Sequence, residues 1–113
     1  MFPNWELFCI FERQMRIIAK STLREFWEQP NYRDSEQALR TWYEDALEAE
    51  WKSPNDIKAQ YGNASIVGKN RVVFNIAGNK YRLIVLALYR KQILYVRFIG
   101  THKEYDKINA ETI

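Results

Sequence analysis

The feature that most narrows the fold is a set of three strand-like runs, Arg71–Ile76, Tyr81–Leu88 and Ile93–Ile99, separated by breaks only a few residues long. Each run is rich in β-branched and aromatic residues, the side chains that suit a pleated, half-buried surface. The first break is Ala77-Gly78-Asn79, where Gly and Asn tolerate positive φ; the second is Arg90-Lys91-Gln92. Breaks this short permit only hairpins, and hairpin-joined strands are antiparallel. The middle run, YRLIVLAL, is apolar almost throughout, which predicts a central strand covered on both faces over part of its length.

Upstream the hydrophobic period lengthens. Met15–Ala19 reads as a short strand. Thr22 and Glu25 stand at capping-box spacing and predict a helix with Leu23, Phe26 and Trp27 on its apolar side. Pro30–Arg33 interrupts it. Asp34 with Gln37 is a second capping signal, ahead of Ala38, Leu39, Trp42, Tyr43, Ala46 and Leu47 at i, i+3, i+4 spacing, an amphipathic helix of roughly four turns. Ser53-Pro54 opens a further helix that Gly62 stops. Thr101 with Glu104 predicts a short C-terminal helix.

With the helices gathered ahead of the hairpins, the expected class is α+β. It is a two-layer domain with an antiparallel-dominated sheet of about four strands, N-terminal helices on one face and a short C-terminal helix.

A chain of 113 residues predicts one domain, and 47% hydrophobic with 15% aromatic content is enough to build its core. That domain is assigned to residues 15–113, because Met15 is a second plausible start; residues 1–14 read as an N-terminal extension or alternative start. They lack a basic beginning and a small-residue cleavage site and carry Glu6 and Glu12, unlike a signal peptide. No run of about 18 apolar residues occurs, so no membrane partner is expected. The single cysteine, Cys9, excludes an internal disulfide and fits a reducing cytoplasm.

The net charge of +3 conceals an asymmetry: residues 58–113 carry ten Lys/Arg against three acids, residues 15–57 six against nine. A basic half attracts polyanions. One His and one Cys far apart make no zinc site, the basic half with only three carboxylates makes no two-metal site, and four glycines without GxGxxG or a P-loop make no nucleotide site. No metal or cofactor is therefore expected.

Metal-free RNA cleavage needs less, because the substrate's own 2′-hydroxyl is the nucleophile. The protein must move protons and neutralise a phosphorane. Arg71, Lys80, Arg82 and Arg97 lie on or beside neighbouring strands, where cations can meet on one face. Arg82 and Arg97 interrupt apolar runs, a costly position without an anionic partner; a helix carboxylate would serve as well as a phosphate. His102, the only histidine, and Tyr105 lie one turn apart on the last helix and share a face. Lys69, Arg90 and Lys91 fall in turns, and Tyr81 and Tyr95 suit either base stacking or packing.

Val72-Val73-Phe74-Asn75, Gly78-Asn79, Arg82, Tyr95-Val96-Arg97 and Thr101-His102-Lys103-Glu104-Tyr105-Asp106-Lys107-Ile108 resemble the HigB toxins, members of the RelE-like superfamily of type II toxin–antitoxin systems. The resemblance covers residues 15–110. It implies a RelE-like fold and a metal-independent, ribosome-dependent endoribonuclease that cuts mRNA at the ribosomal A site in the cytoplasm. It also implies a HigA-type helix-turn-helix antitoxin, held in a hetero-oligomer. On this sequence the implied catalytic set is His102, Arg97, Arg82 and Tyr105. Arg82 and Arg97 would hold the scissile phosphate, with His102 leading in proton transfer and Tyr105 next. Arg71, Lys80, Lys69 and Lys103 would bind flanking RNA. The same residues also suit a non-catalytic RNA- or ribosome-binding module.

Overall fold

The period-two runs become the centre of the sheet. The computed structural model describes residues 15–113; the extension or alternative start expected at residues 1–14 lies outside the described residues. In chain order the elements are β1 Arg16–Ile18, α1 Lys20–Trp27, a 3-10 turn Pro30–Ser35, α2 Glu36–Glu48, α3 Pro54–Gln60, β2 Ser65–Ile66, β3 Arg71–Ile76, β4 Tyr81–Leu88, β5 Ile93–Thr101 and α4 His102–Tyr105. The chain is α+β.

The sheet has the order β1-β5-β4-β3-β2. It is mixed and five-stranded, where an antiparallel-dominated sheet of about four strands was expected: antiparallel pairs do dominate, and β2 and the parallel pairing of β1 are the differences. β1 pairs parallel with β5, Arg16 opposite Ile93 and Ile18 opposite Tyr95, while every other pair is antiparallel. The parallel pair is possible because the helices supply the long crossover it requires. β2 has two exposed residues and no period to read, which is why it has no sequence signal.

Alternate residues of β3, β4 and β5 pack against the helices. Phe74, Leu83, Val85 and Leu94 join Leu23, Leu39, Trp42 and Ile57 in one cluster. The Trp42 ring meets Phe74 edge-on at 5.3 Å, and Trp51 stacks on the same phenyl at 5.9 Å. Burying each such side chain stabilises the fold by about 1.5–3 kcal/mol. β4 is covered on both faces, as its apolar run predicts: Leu83, Ile84 and Val85 are all 0% exposed. Val73 and Ile84 are also buried, on the face away from the helices.

Two caps differ from expectation. α1 begins at Lys20 after Ala19, and Thr22 lies inside the first turn, its N–H donating to the Ala19 carbonyl at 3.1 Å. Asp34 does not cap α2, because its carboxylate is taken by Lys80 and Tyr81. In the first hairpin positive φ falls on Ala77 and Gly78, with Asn79 outside that region. Between β4 and β5 the register slips at Ile84/Val85. Ile84 pairs with Phe98 and Val85 with Val96, so Arg97 is the extra, bulged residue. The bulge turns a cation in an apolar run out to solvent.

Candidate functional site

Arg82 sits mid-sheet on the face away from the helices, flanked by Asn75 on β3 and Gly100 on β5. It is half-buried, and its guanidinium lies 5.9 Å from the Tyr105 ring centroid, within cation–π reach. Among the described residues its hydrogen bonds leave from Nη1 alone, to the Asn79 and Tyr81 carbonyls at 3.1 and 3.4 Å. Among the described residues no carboxylate side chain lies within ion-pair distance of Arg71, Arg82 or Arg97.

Tyr105 and His102 owe their positions to a capping box. Thr101 Oγ1 accepts the Glu104 N–H at 3.2 Å, and Glu104 Oε1 accepts the Thr101 N–H at 2.8 Å. The His102 N–H donates to the Lys80 carbonyl at 3.3 Å and ties the helix start to the β3–β4 hairpin. Gly100 makes the approach possible, since a Cβ there would stand 2.6 Å from Phe98 Cζ and 2.7 Å from Glu104 Oε1. The His102 imidazole is exposed and its Nδ1 lies 3.2 Å from Asp106 Oδ2, leaving Nε2 to face solvent. Asp106 is thus a participant the sequence reading missed, although its i+4 spacing from His102 was there to read.

The remaining arginines form a separate group. Arg71 on β3 and Arg97 on β5 reach the same atom, the backbone oxygen of Ile113, at 2.8 Å from Nη2 and 3.4 Å from Nε. Arg97 lies three residues along β5 from the partner of Arg82, about 10 Å of strand at 3.3 Å per residue. The structure therefore joins Arg82 to Tyr105 and Arg97 to Arg71, where the sequence suggested Arg82 with Arg97. Nothing in the sequence pointed to Ile113.

Lys80 is paired with Asp34 at the hairpin tip, both side chains well exposed. Tyr81 donates to Asp34 at 2.5 Å and packs edge-on against Phe26 and Tyr32, so it is a core residue. The Lys80 ammonium, then the Tyr81 hydroxyl, hold the Asp34 carboxyl below its ordinary range. Burial, then Asp34, push the Tyr81 phenol up to about 12. Lys69, in the loop before β3, has φ of 59°; it and Lys103 are exposed. Among the described residues no three His, Cys, Asp or Glu side chains are grouped to hold a metal ion. No helix among them is long and apolar enough to cross a membrane.

A family model described as HigB_toxin, RelE-like toxic component of a toxin-antitoxin system, matches residues 35–108. The chain is 35% identical over 63 residues to the mRNA interferase toxin HigB of Escherichia coli strain K12, with the same figures for the mRNA interferase HigB of Escherichia coli O157:H7 and of Shigella flexneri. The aligned stretch is 53% of this chain and spans 60% of the length of those relatives. It falls short of two thirds of their length.

Proposed function

Because the chain belongs to the HigB toxin family, RelE-like toxic components of toxin–antitoxin systems, we propose that it is a toxin that cuts translated mRNA without a metal, on a RelE-like fold, in the ribosomal A site of the cytoplasm. Its antidote is a HigA-type helix-turn-helix antitoxin. The observation that carries the reading is Arg82: a half-buried guanidinium with no carboxylate partner among the described residues, packed on a tyrosine and beside the helix bearing the one histidine. A buried-side cation left unpaired is costly, and a phosphate would neutralise it.

The chemistry follows from the positions. The substrate 2′-hydroxyl gives its proton to His102 Nε2, the ring nitrogen turned away from Asp106. The 2′-oxygen attacks phosphorus. Arg82, through Nε and Nη2, neutralises the two equatorial oxygens of the phosphorane in a bidentate grip. The P–O5′ bond breaks, and the Tyr105 hydroxyl protonates the leaving 5′-oxygen, giving a 2′,3′-cyclic phosphate and a 5′-hydroxyl. Arg71, Arg97, Lys69 and Lys103 hold the flanking strand, and Lys80 joins them when it leaves Asp34.

Primer extension on a message under translation tests this. Wild-type protein should leave discrete cuts, while His102→Ala, Arg82→Ala and Tyr105→Phe should abolish or strongly weaken them, with each variant still folded and bound by the antitoxin. A stalled ribosome on an uncut message would instead assign the chain as a non-catalytic RNA- or ribosome-binding module.

A further inference from the structure

The face of the sheet turned away from the helices is laid out in rows. Asn75, Arg82 and Gly100 stand side by side near the β3–β4 hairpin. Val73, Ile84 and Phe98 form the next row, and Arg71, Leu86, Tyr95 and Ile18 the one after. Tyr105 stands over the first row, and Val73 and Ile84 in the second are buried. The third row is more open: Ile18 is 38% exposed, and Leu86 and Tyr95 are half-buried. Tyr95 differs from the other tyrosines. Tyr32, Tyr61 and Tyr81 sit in ring pairs with the core, and Tyr89 packs against that core. The rings of Tyr43 and Tyr105 lie under Lys20 and Arg82. Among the described residues the Tyr95 side chain has no ring, cation or hydrogen-bond partner, and it lies outside the core cluster.

We infer that Tyr95, with Ile18 beside it, is a stacking platform for one nucleobase, on a nucleotide neighbouring the one that is cut. This rests on the ribonuclease reading and adds to it a contact with a base, where that reading supplies only contacts with phosphates and reacting groups. A half-open aromatic ring next to an exposed isoleucine is apolar surface without a partner, and the flat face of a base covers it. The surrounding charge selects nucleic acid as the occupant. None of the five strands carries Asp or Glu, Arg97 follows Tyr95 by two residues, and Arg71 ends the same row. A single strand gripped by those cations lays its bases on the surface between them. The base on Tyr95 does not belong to the scissile step: Leu86, the partner of Tyr95, is four residues along β4 from Arg82, about 13 Å of strand. Every base has a π-face, so the platform accepts all four, purines covering more of the ring.

The experiment uses the full chain and a short single-stranded RNA carrying 2′-O-methyl groups throughout, which blocks the nucleophile and prevents cleavage. Tyr95→Leu should bind this RNA about tenfold more weakly, the scale of losing one stacked base. Its salt slope should equal that of the wild type, because no phosphate contact is lost. Tyr95→Phe and Tyr95→Trp should bind as the wild type does, which a tyrosine needed for its hydroxyl would not allow. Replacing one nucleotide at a time by an abasic residue should cost the wild type about tenfold at one position, and at that position should cost Tyr95→Leu nothing. The wild-type scan stands by itself even where Tyr95→Leu fails to fold. An unchanged affinity in Tyr95→Leu, or a scan without such a position, overturns the inference while leaving cleavage at Arg82 intact. A Tyr95→Leu chain that binds the RNA normally but no longer holds the antitoxin makes this face a protein-docking surface, and overturns it too. A wild-type protein that neither binds this RNA nor cuts a translated message overturns the ribonuclease reading and the platform together.

Discussion

Gly100 is the residue that lets α4 close on the sheet. Any side chain there collides with the Phe98 ring and the Glu104 carboxylate. Gly100→Ala should destabilise the fold by about 1–3 kcal/mol, the usual cost of overpacking, seen as a lower thermal midpoint. It should also reduce cleavage further than that loss explains, because pushing Glu104 aside undoes the box that orients His102. Arg82 is the residue whose chemistry is least replaceable. Arg82→Lys keeps the charge but loses the planar fork and the stacking on Tyr105. Single-turnover cleavage should fall by about 10²–10³-fold, the scale of losing one electrostatic stabiliser, with the thermal midpoint nearly unmoved. Parity and helix spacing were enough to nominate Arg82, His102 and Tyr105 from sequence. The true neighbour of Arg97 was not legible, because a bulge shifts the strand by one residue and nothing in the local pattern marks it.

At the scale of elements, α4 has only four residues and no buried side chain, so its cap carries an unusual share of its stability. Thr101→Ala should cost about 1 kcal/mol and lower cleavage while antitoxin binding persists. The latch between the 3-10 turn and the hairpin tip gives a pH signature. Asp34 is held below its ordinary range by Lys80 and then Tyr81, so its contribution is present at neutral pH and lost as acid protonates it. Tyr81 is shifted upward to about 12, so its contribution is complete below pH of about 10 and lost as the solution passes through the folded value. The thermal midpoint should be flat through neutrality and fall on both sides. Asp34→Asn should shrink the acid limb and spare the alkaline one, because burial is the larger cause of the Tyr81 shift. The same latch explains an error of reading. Asp34 has the local signature of a helix cap, but partners 46 and 47 residues away outbid it. β3 and β4, whose pattern depends only on which side faces the core, match the sequence residue for residue.

Across the whole molecule, charge and topology act together. Three arginines on the face away from the helices predict a definite salt dependence. With about 0.7 of log-log slope per phosphate on a single strand, binding of the uncleavable RNA should weaken with a slope near −2. Arg82→Ala should remove about 0.7 of it; a slope near zero would mean that these cations meet no phosphates. The topology adds a matter of timing. Among the described residues β1 finds its sheet partner in β5 alone, and the proposed proton-transfer residues His102 and Tyr105 come later still. A nascent chain that has not passed Ile93 holds its helices without a lodging for β1 and, on the proposed reading, without the groups that would move protons. On the proposed reading, a chain released before the β4–β5 hairpin is made would be harmless, and any toxicity would begin only once the last strand has found its place between β4 and β1.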